Sequence, residues 1–337
     1  MKIYNLAVLG FGNVGRSLAR LLLEKRAELR ERYEMDWRLT GVASRRLGWK
    51  ADTNGFDTER TLQDPTSIRS TASATNVREW LAASRADVMF EISSVNAETG
   101  QPALEHLRAA LESGAHAITA NKGAVVHGYR ELLHLANSKG KRFFFEATVL
   151  GGTPLFSVFR ETLPASKLLC FRGLVNTTTN IILHEMEQGH SYDDAIRKAQ
   201  DLGVAETDPT NDVDGWDAAL KLAILATVLM DIPLKPRDIE RRGIRNLDAA
   251  KLQQARAEGK RVRLVARMDR TLLGRVVASV GPEELAPDDP LASAGPTSNI
   301  VYFELDTIHG MTIASHRQGP DTTAYGLFAD FMNAVQS

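Results

Sequence analysis

Several things are scarce in this 337-residue chain, and each scarcity excludes something. There is one cysteine, Cys170, so an internal disulfide framework is excluded and a reducing cytoplasm is the compartment to expect. Cys170 lies in the strand-like run KLLCFRGLV and reads as a packed side chain rather than a reactive thiol. Charge of either sign is not in excess: 41 Lys and Arg face 42 Asp and Glu, a formal net charge of -1. That leaves no electrostatic case for nucleic acid or an anionic membrane as partner. The longest strongly apolar run, Leu222 to Met230, is too short to span a bilayer. The opening MKIYNLAVLGFG does not read as a signal peptide, because its short apolar run leads into glycines and a charged helix. What remains is an ordinary globular composition, 43% hydrophobic and 25% charged, with length for two domains.

Strand-like and helix-like segments alternate over residues 1–150. The pattern predicts strands at Ile3 to Leu9, Trp37 to Ser44, Asp87 to Ser93, His116 to Ala120 and Arg142 to Thr148. Helices are expected over Val14 to Tyr33, through Glu112 to a stop at Gly114, and from Tyr129 to Ser138. Repeated β-α units of this kind imply a doubly wound parallel sheet with helices on both faces. After Gly151-Gly152 the pattern changes. Thr153 and Pro154 read as cap and first turn of a helix, Leu168 to Val175 as a strand, and NTTTN as the start of a helix. Ser191 with Asp194 looks like a capping box. Strands at Arg261 to Met268, Gly274 to Val280 and Ile300 to Leu305 would form a mixed second sheet, with Gly281 to Thr297 an exposed excursion. The expected organisation is 1–150 for a dinucleotide-binding domain, 151–315 for an α+β substrate-binding domain, and 316–337 for a tail. The helix of that tail, Thr323 to Val335, would pack back on the first domain.

GFGNVG (Gly10, Gly12, Gly15) follows the first strand and opens the first helix, as in a Rossmann-type fold. The first glycine permits a tight turn, the second lets a pyrophosphate approach the backbone, and the third lets helix and strand pack closely. The second strand ends in Ser44-Arg45-Arg46, and its nearest acid, Asp36, lies at the wrong end to hold ribose hydroxyls. Two guanidinium groups there suit a 2′-phosphate, so NADP is expected over NAD, although a solvated basic turn has the same sequence. ITANKG places Lys122 just past the fourth strand, at the edge where open parallel sheets bind ligands; a surface lysine is the alternative. FEATVLGGTP sets Glu146 beside a glycine pair, which reads as a hinge or a hard-cation site.

Five acids (Glu206, Asp208, Asp212, Asp214, Asp217) crowd residues 206–217, and the helix that follows keeps one charge, Lys221. Asp217 and Lys221 are four apart and share a helix face. An ammonium in so apolar a helix must be paired, and is then either half of a structural pair or a proton donor or substrate ligand. The acids before it suit a pocket for an amino group.

Taken in order, GFGNVG at 10–15, TANKG at 119–123, EATVLGGTP at 146–154, NTTTN at 176–180 and AETDPTNDVDGWDAALKL at 205–222 resemble homoserine dehydrogenase over nearly the whole chain. The resemblance implies reversible NAD(P)-dependent hydride transfer between L-homoserine and L-aspartate 4-semialdehyde, in threonine and methionine biosynthesis. It implies that Lys221 donates the proton, that Asp217 orients it, and that Glu206 and Asp212 bind substrate. Its cofactor set falls on Gly10, Gly12, Asn13, Val14, Gly15, Ser44, Arg45, Arg46, Ser93 and Lys122, the last also a candidate catalytic residue. Glu146 with the carbonyls of Val149, Gly151 and Thr153 matches a structural monovalent-cation site, for an ion such as sodium. The family further implies a homodimer formed through the second domain's sheet. The chain ends soon after its last helix, so no C-terminal regulatory domain or fused aspartate kinase, and no threonine feedback through one, is expected. Two departures bear on substrate: Thr177 replaces a glycine, and His316-Arg317-Gln318 replace small residues. They keep open a related small hydroxy or oxo acid; a non-catalytic dinucleotide-binding regulator is the remaining alternative.

Overall fold

The computed structural model describes residues 1–270 and 276–336. The chain divides into two compact units, Met1–Pro154 with the segment from Pro320 onward, and Leu155–Gly319. These divisions fall a few residues beyond the expected 150 and 315.

In the first unit β1 (Lys2–Leu9) leads to α1 (Asn13–Glu24), α2 (Arg26–Tyr33), β2 (Met35–Ser44) and β3 (Gly48–Ala51). Then come α3 (Thr58–Gln63), α4 (Val77–Ser84), β4 (Val88–Glu91), α5 (Ala103–Glu112), β5 (His116–Thr119), α6 (Lys122–Ser138) and β6 (Phe143–Phe144). The sheet order is β3-β2-β1-β4-β5-β6. All neighbours are parallel except the β2/β3 hairpin. Leu6 to Leu9 of β1 are all buried, as a strand covered on both faces requires. Strand order reverses between β1 and β4, and the carboxyl ends on either side of that switch point frame a ligand crevice.

Several expectations need correction. The helix expected over Val14 to Tyr33 breaks at Lys25, and the turn lets Arg26 and Arg30 reach Asp36. The strand expected over Arg142 to Thr148 shrinks to Phe143–Phe144, because Glu146–Thr148 coil into a 3₁₀ turn. The helix expected from Tyr129 begins at Lys122, where the Asn121 side chain accepts from the Ala124 N–H at 3.4 Å. The hairpin strand β3 has no counterpart in the sequence reading.

The second unit runs β7 (Leu168–Leu174), α7 (Thr177–Glu187), α8 (Tyr192–Asp201), α9 (Thr210–Val213), α10 (Trp216–Leu229), β8 (Glu240–Arg241) and α11 (Ala249–Ala257). It closes with β9 (Arg261–Arg270), β10 (Val276–Leu285), β11 (Asn299–Leu305) and β12 (Met311–Ser315). Its sheet, ordered β12-β11-β7-β9-β10-β8, is antiparallel except for β8/β10, so it is mixed. Thr153 and Pro154 do not open a helix: the helical turns begin at Phe156 and continue as a π-helix over Val158–Thr162. Of the strand expected from Gly274, Gly274 and Arg275 lie outside the described residues. The strand continues to Leu285, and Leu285 and Leu291 pack on Leu174, Val265 and Ile300, so the expected excursion is partly core.

The last helix, α12 (Pro320–Gln336), belongs to the first unit, where Phe331 meets the rings of Tyr4 at 5.9 Å and Phe90 at 6.3 Å. Among the described residues, no helix is long and apolar enough to cross a membrane.

Candidate active site

The turn from β1 into α1 depends on its glycines. Gly10 has φ +105°, and a Cβ on it would lie 2.3 Å from the Ile92 carbonyl oxygen. A Cβ on Gly15 would lie 2.4 Å from the Gly10 carbonyl oxygen, so this glycine lets the helix sit down on the turn. Gly12 is different, since a Cβ there would meet nothing within 4 Å. Its bareness leaves space in front of α1, whose first turn no side chain caps. Uncapped N–H groups at a helix N-terminus are an anion site.

A cavity of about 890 Å³ opens there, lined by Gly10, Gly12, Ser44, Arg45, Arg46 and Ser93 among others. Asn13, Val14 and Gly15 belong to the first turn of α1 rather than to the cavity wall. Arg16, Arg45 and Arg46 supply positive charge, and Arg45 donates to the Ser94 hydroxyl at 3.4 Å. Asp36 sits at the far end of β2, bound by Arg26 at 2.8 Å and Arg30 at 2.6 Å. Burial opposes its charge, but the two guanidiniums bring its pKa down to about 2. The residues present therefore fit a dinucleotide, with a basic rather than an acidic group at the carboxyl end of β2.

Sequence reasoning missed Arg16 on this wall, and with it Trp49, His106 and Glu91. β3 brings Trp49 and α5 brings His106 to the wall, their rings edge-on at 6.2 Å. His106 Nδ1 lies 3.4 Å from the fully buried carboxylate of Glu91, which also accepts from the Ser93 hydroxyl. No motif marks them, and the unexpected β3 hid Trp49. Lys122 stands half-buried at the first position of α6. The preceding Asn121 donates to the carbonyls of Ser93 at 3.2 Å and Ser94 at 3.3 Å, tying together the loops after β4 and β5.

The second unit gathers Lys221, Asp217 and Asp212. Lys221 lies in an α10 whose residues Ala218–Leu220 and Leu222–Thr227 are buried. Its Nζ is 2.8 Å from Asp217 Oδ2 and donates to the Val175 carbonyl at 2.5 Å, with both side chains only 13–14% exposed. The ammonium is thus paired and hydrogen-bonded, which is what makes its burial tolerable. Asn176 Nδ2 donates to Asp212 Oδ1 at 2.6 Å and to Asp217 Oδ2 at 3.0 Å. Burial and the nearby Asp217 charge raise the pKa of Asp212, against hydrogen bonds from Asn176 and Thr178.

Glu206 is not part of this cluster. It is exposed on the loop between α8 and α9, where Gln200 donates to its backbone carbonyl at 3.1 Å. Asp208 closes a local turn with Thr210, and Asp214 pairs with Arg245. Thr177 takes no left-handed conformation; it is the first residue of α7, and its hydroxyl donates to Asn299 at 3.2 Å. The His316 carbonyl accepts from Thr297 at 3.0 Å and Gln318 donates to the Ser315 hydroxyl at 2.5 Å, so that segment is tied to the end of β12. Burial and the neighbouring Asp269 push the Cys170 thiol up to about 12, which removes it as a nucleophile near neutrality.

Back in the first unit, Glu146 is buried and its backbone N–H donates to Asp330 at 2.8 Å. Val149 is buried, Gly151 has φ +59°, and the Thr153 N–H donates to the Leu150 carbonyl at 3.1 Å. Among the described residues no group of three or more His, Cys, Asp or Glu could hold a metal. A cation at Glu146 would therefore depend on backbone carbonyls for most of its ligands.

Residues 154–332 match the family model described as homoserine dehydrogenase, and residues 10–146 match that described as its NAD-binding domain. The NAD(+)-dependent homoserine dehydrogenase of Pseudomonas canavaninivorans is 33% identical, covering 100% of this chain and 97% of that protein. The homoserine dehydrogenase of Methanocaldococcus jannaschii is 30% identical, covering 99% of both. Among solved structures, a hyperthermophilic archaeal homoserine dehydrogenase in complex with NADPH superposes with TM-score 0.81 at 29% identity, covering 100% of this chain and 98% of that one.

Proposed function

The chain belongs to the homoserine dehydrogenase family, NAD(P)-dependent oxidoreductases acting on a CH–OH group, and from that premise we propose that it interconverts L-homoserine and L-aspartate 4-semialdehyde with NADP as the preferred cofactor. The observation that carries this reading is Lys221, the one cation of α10, set ahead of a buried apolar run and held at 2.8 Å by Asp217. A dinucleotide held at the glycine turn beside Arg45 and Arg46 would supply the hydride chemistry in either direction. Lys221 gives its proton to the carbonyl oxygen as negative charge develops there, and takes it back in reverse. Asp217 aims Lys221 through their ion pair at 2.8 Å. Asp212 offers negative charge to the substrate's ammonium group, and Glu206, apart from that cluster on the exposed loop before α9, is assigned to the same group.

NADP preference is supported by Arg45 and Arg46 on the cavity wall and by the commitment of Asp36 to two other arginines. One relative is named as NAD(+)-dependent and another was solved with NADPH, so the choice falls to residues at this position. Lys122, at the carboxyl edge of the first sheet, is assigned to cofactor contact. Glu146 with the carbonyls of Val149, Gly151 and Thr153 is assigned to a monovalent cation, a set of hard oxygen donors that suits such an ion. A homodimer through the second sheet completes the reading.

Two assays test it: homoserine oxidation with NADP and with NAD, and NADPH oxidation with aspartate semialdehyde. Turnover is expected with both substrates and favours NADP, and Lys221→Ala reduces kcat by roughly 10²–10⁴-fold. Equal turnover by wild type and Lys221→Ala would overturn the assignment of Lys221. Preference for another small hydroxy acid in the same assay would overturn the substrate.

A further inference from the structure

Asn176 joins both halves of the acidic cluster in the second unit. Its backbone is extended, and it caps α7: Oδ1 accepts from the Thr179 N–H at 2.9 Å and from the Thr179 hydroxyl at 3.0 Å. That assignment fixes which end of the amide is oxygen, so the two remaining N–H bonds belong to Nδ2. One reaches Asp212 at 2.6 Å and the other Asp217 at 3.0 Å. The residue is 5% exposed, so these bonds form with little competition from water. The residue before it, Val175, receives the Lys221 ammonium on its carbonyl at 2.5 Å. The β7–α7 junction thus touches Asp212, Asp217 and Lys221 through two consecutive residues.

Capping does not account for this asparagine. An N-cap needs only an acceptor, and serine or aspartate serves as well. Only an amide both caps and donates twice. We propose that Asn176 is a positioning residue for the hydride-transfer reaction, bridging Asp212 and Asp217 so that two carboxylates stand side by side and Asp217 is held in place against Lys221. The inference rests on the reading of Lys221 as the proton donor. The charged groups that face the Asn176 amide are Asp212 from α9 and Asp217 and Lys221 from α10; Thr178 and Thr179 on its own helix are neutral. Without the amide no side chain donates to both acids at once, and the carboxylate that orients Lys221 is held less firmly.

Asn176→Ser is the first test, because serine keeps the capping acceptor and cannot donate to both acids. It is expected to keep the fold, by circular dichroism and thermal melting, and to lose roughly 10²-fold in kcat, the cost of misplacing a reacting group. The acid limb of its kcat–pH profile moves to higher pH, because carboxylates that lose donors are protonated more readily. Asn176→Asp, near in size, is the second variant. Its added negative charge beside Asp212 and Asp217 moves the acid limb further in the same direction. A residue that only capped α7 would leave that limb in place, and a wild-type profile in Asn176→Ser overturns the proposal. Loss of fold in both variants also overturns it, since Asn176 would then be structural. Failure of the parent reading is distinguishable: there the wild type does not turn over homoserine, or Lys221→Ala matches it.

Discussion

Asp36 and Lys221 are each held by opposite charge, yet their surroundings give them different work. Asp36 is 5% exposed and gripped by Arg26 and Arg30, whose guanidiniums reach back from α2 to the start of β2. Its folded pKa of about 2 lies below the ordinary 3.8, so the ionised form is favoured by folding. A depressed carboxyl contributes stability that is fully present above its unfolded pKa and is lost as pH falls through the folded one. At pH 7 the shift is worth about 2 kcal/mol. Asp36→Asn should lower the urea-unfolding free energy by about that much at neutral pH. The difference from wild type should shrink between roughly pH 4 and pH 2. The ratio of NADP to NAD activity should not change, because Asp36 stands at the end of β2 away from the cavity. A changed cofactor ratio would mean that this carboxylate reaches the ribose after all.

At the scale of elements, the β1–turn–α1 unit separates folding from binding in two neighbouring glycines. Gly15→Ala sets a methyl 2.4 Å from the Gly10 carbonyl, a backbone contact that must give way, and should cost about 1–3 kcal/mol of stability. Gly12→Ala meets nothing within 4 Å and should melt like wild type while binding NADPH more weakly in a fluorescence titration. Reversal of the two results would show that the open space before α1 is not where the pyrophosphate goes. This unit was legible in the sequence because its signals are local: an apolar strand, fixed glycine spacing, then helical periodicity. The Ser191 cap was legible for the same reason, and the Asp194 N–H does bond the Ser191 hydroxyl at 3.2 Å. Lys221 also stood out, because a lone charge between Ala218 and Met230 is a contrast within one segment. Asn176 as a bridge did not, since its two acids lie 36 and 41 residues away. The hairpin strand β3 and the edge strand β12 were missed because short strands owe their form to a neighbouring strand rather than to their own pattern. Arg142 to Thr148 carries three consecutive phenylalanines, yet only two of its residues pair as a strand before the chain coils at Glu146.

At the scale of the whole molecule, the sheet of the second unit raises the question of oligomeric state. Phe171, Ala266, Met268, Val301 and Phe303 are buried on one face, whereas their neighbours Cys170, Arg172, Arg267, Asp269, Tyr302 and Glu304 point to the other and are only half-buried. That second face carries its own polar pairs: Arg172 meets Asp289 at 2.9 Å and Glu283 at 3.3 Å, and the Tyr302 hydroxyl donates to Glu304 at 2.5 Å. Groups already paired within one chain lose less on being covered by another than unpaired charges would, which suits such a face to a protein contact. A stable interface buries at least about 1,000 Å² in total, an area that a six-stranded sheet can offer. Light scattering on the purified chain should therefore give a mass of about 74 kDa, twice 37.0 kDa, and the melting temperature should rise with protein concentration, as mass action requires of a dimer. Replacing Tyr302 by Ala deletes a large half-buried ring from this face while leaving Phe303 and the buried face in place, and should shift the mass toward 37.0 kDa at low micromolar concentration. A mass of 37.0 kDa for the unmodified chain at high concentration would remove the dimer, and a dimer indifferent to Tyr302→Ala would move its interface off this sheet.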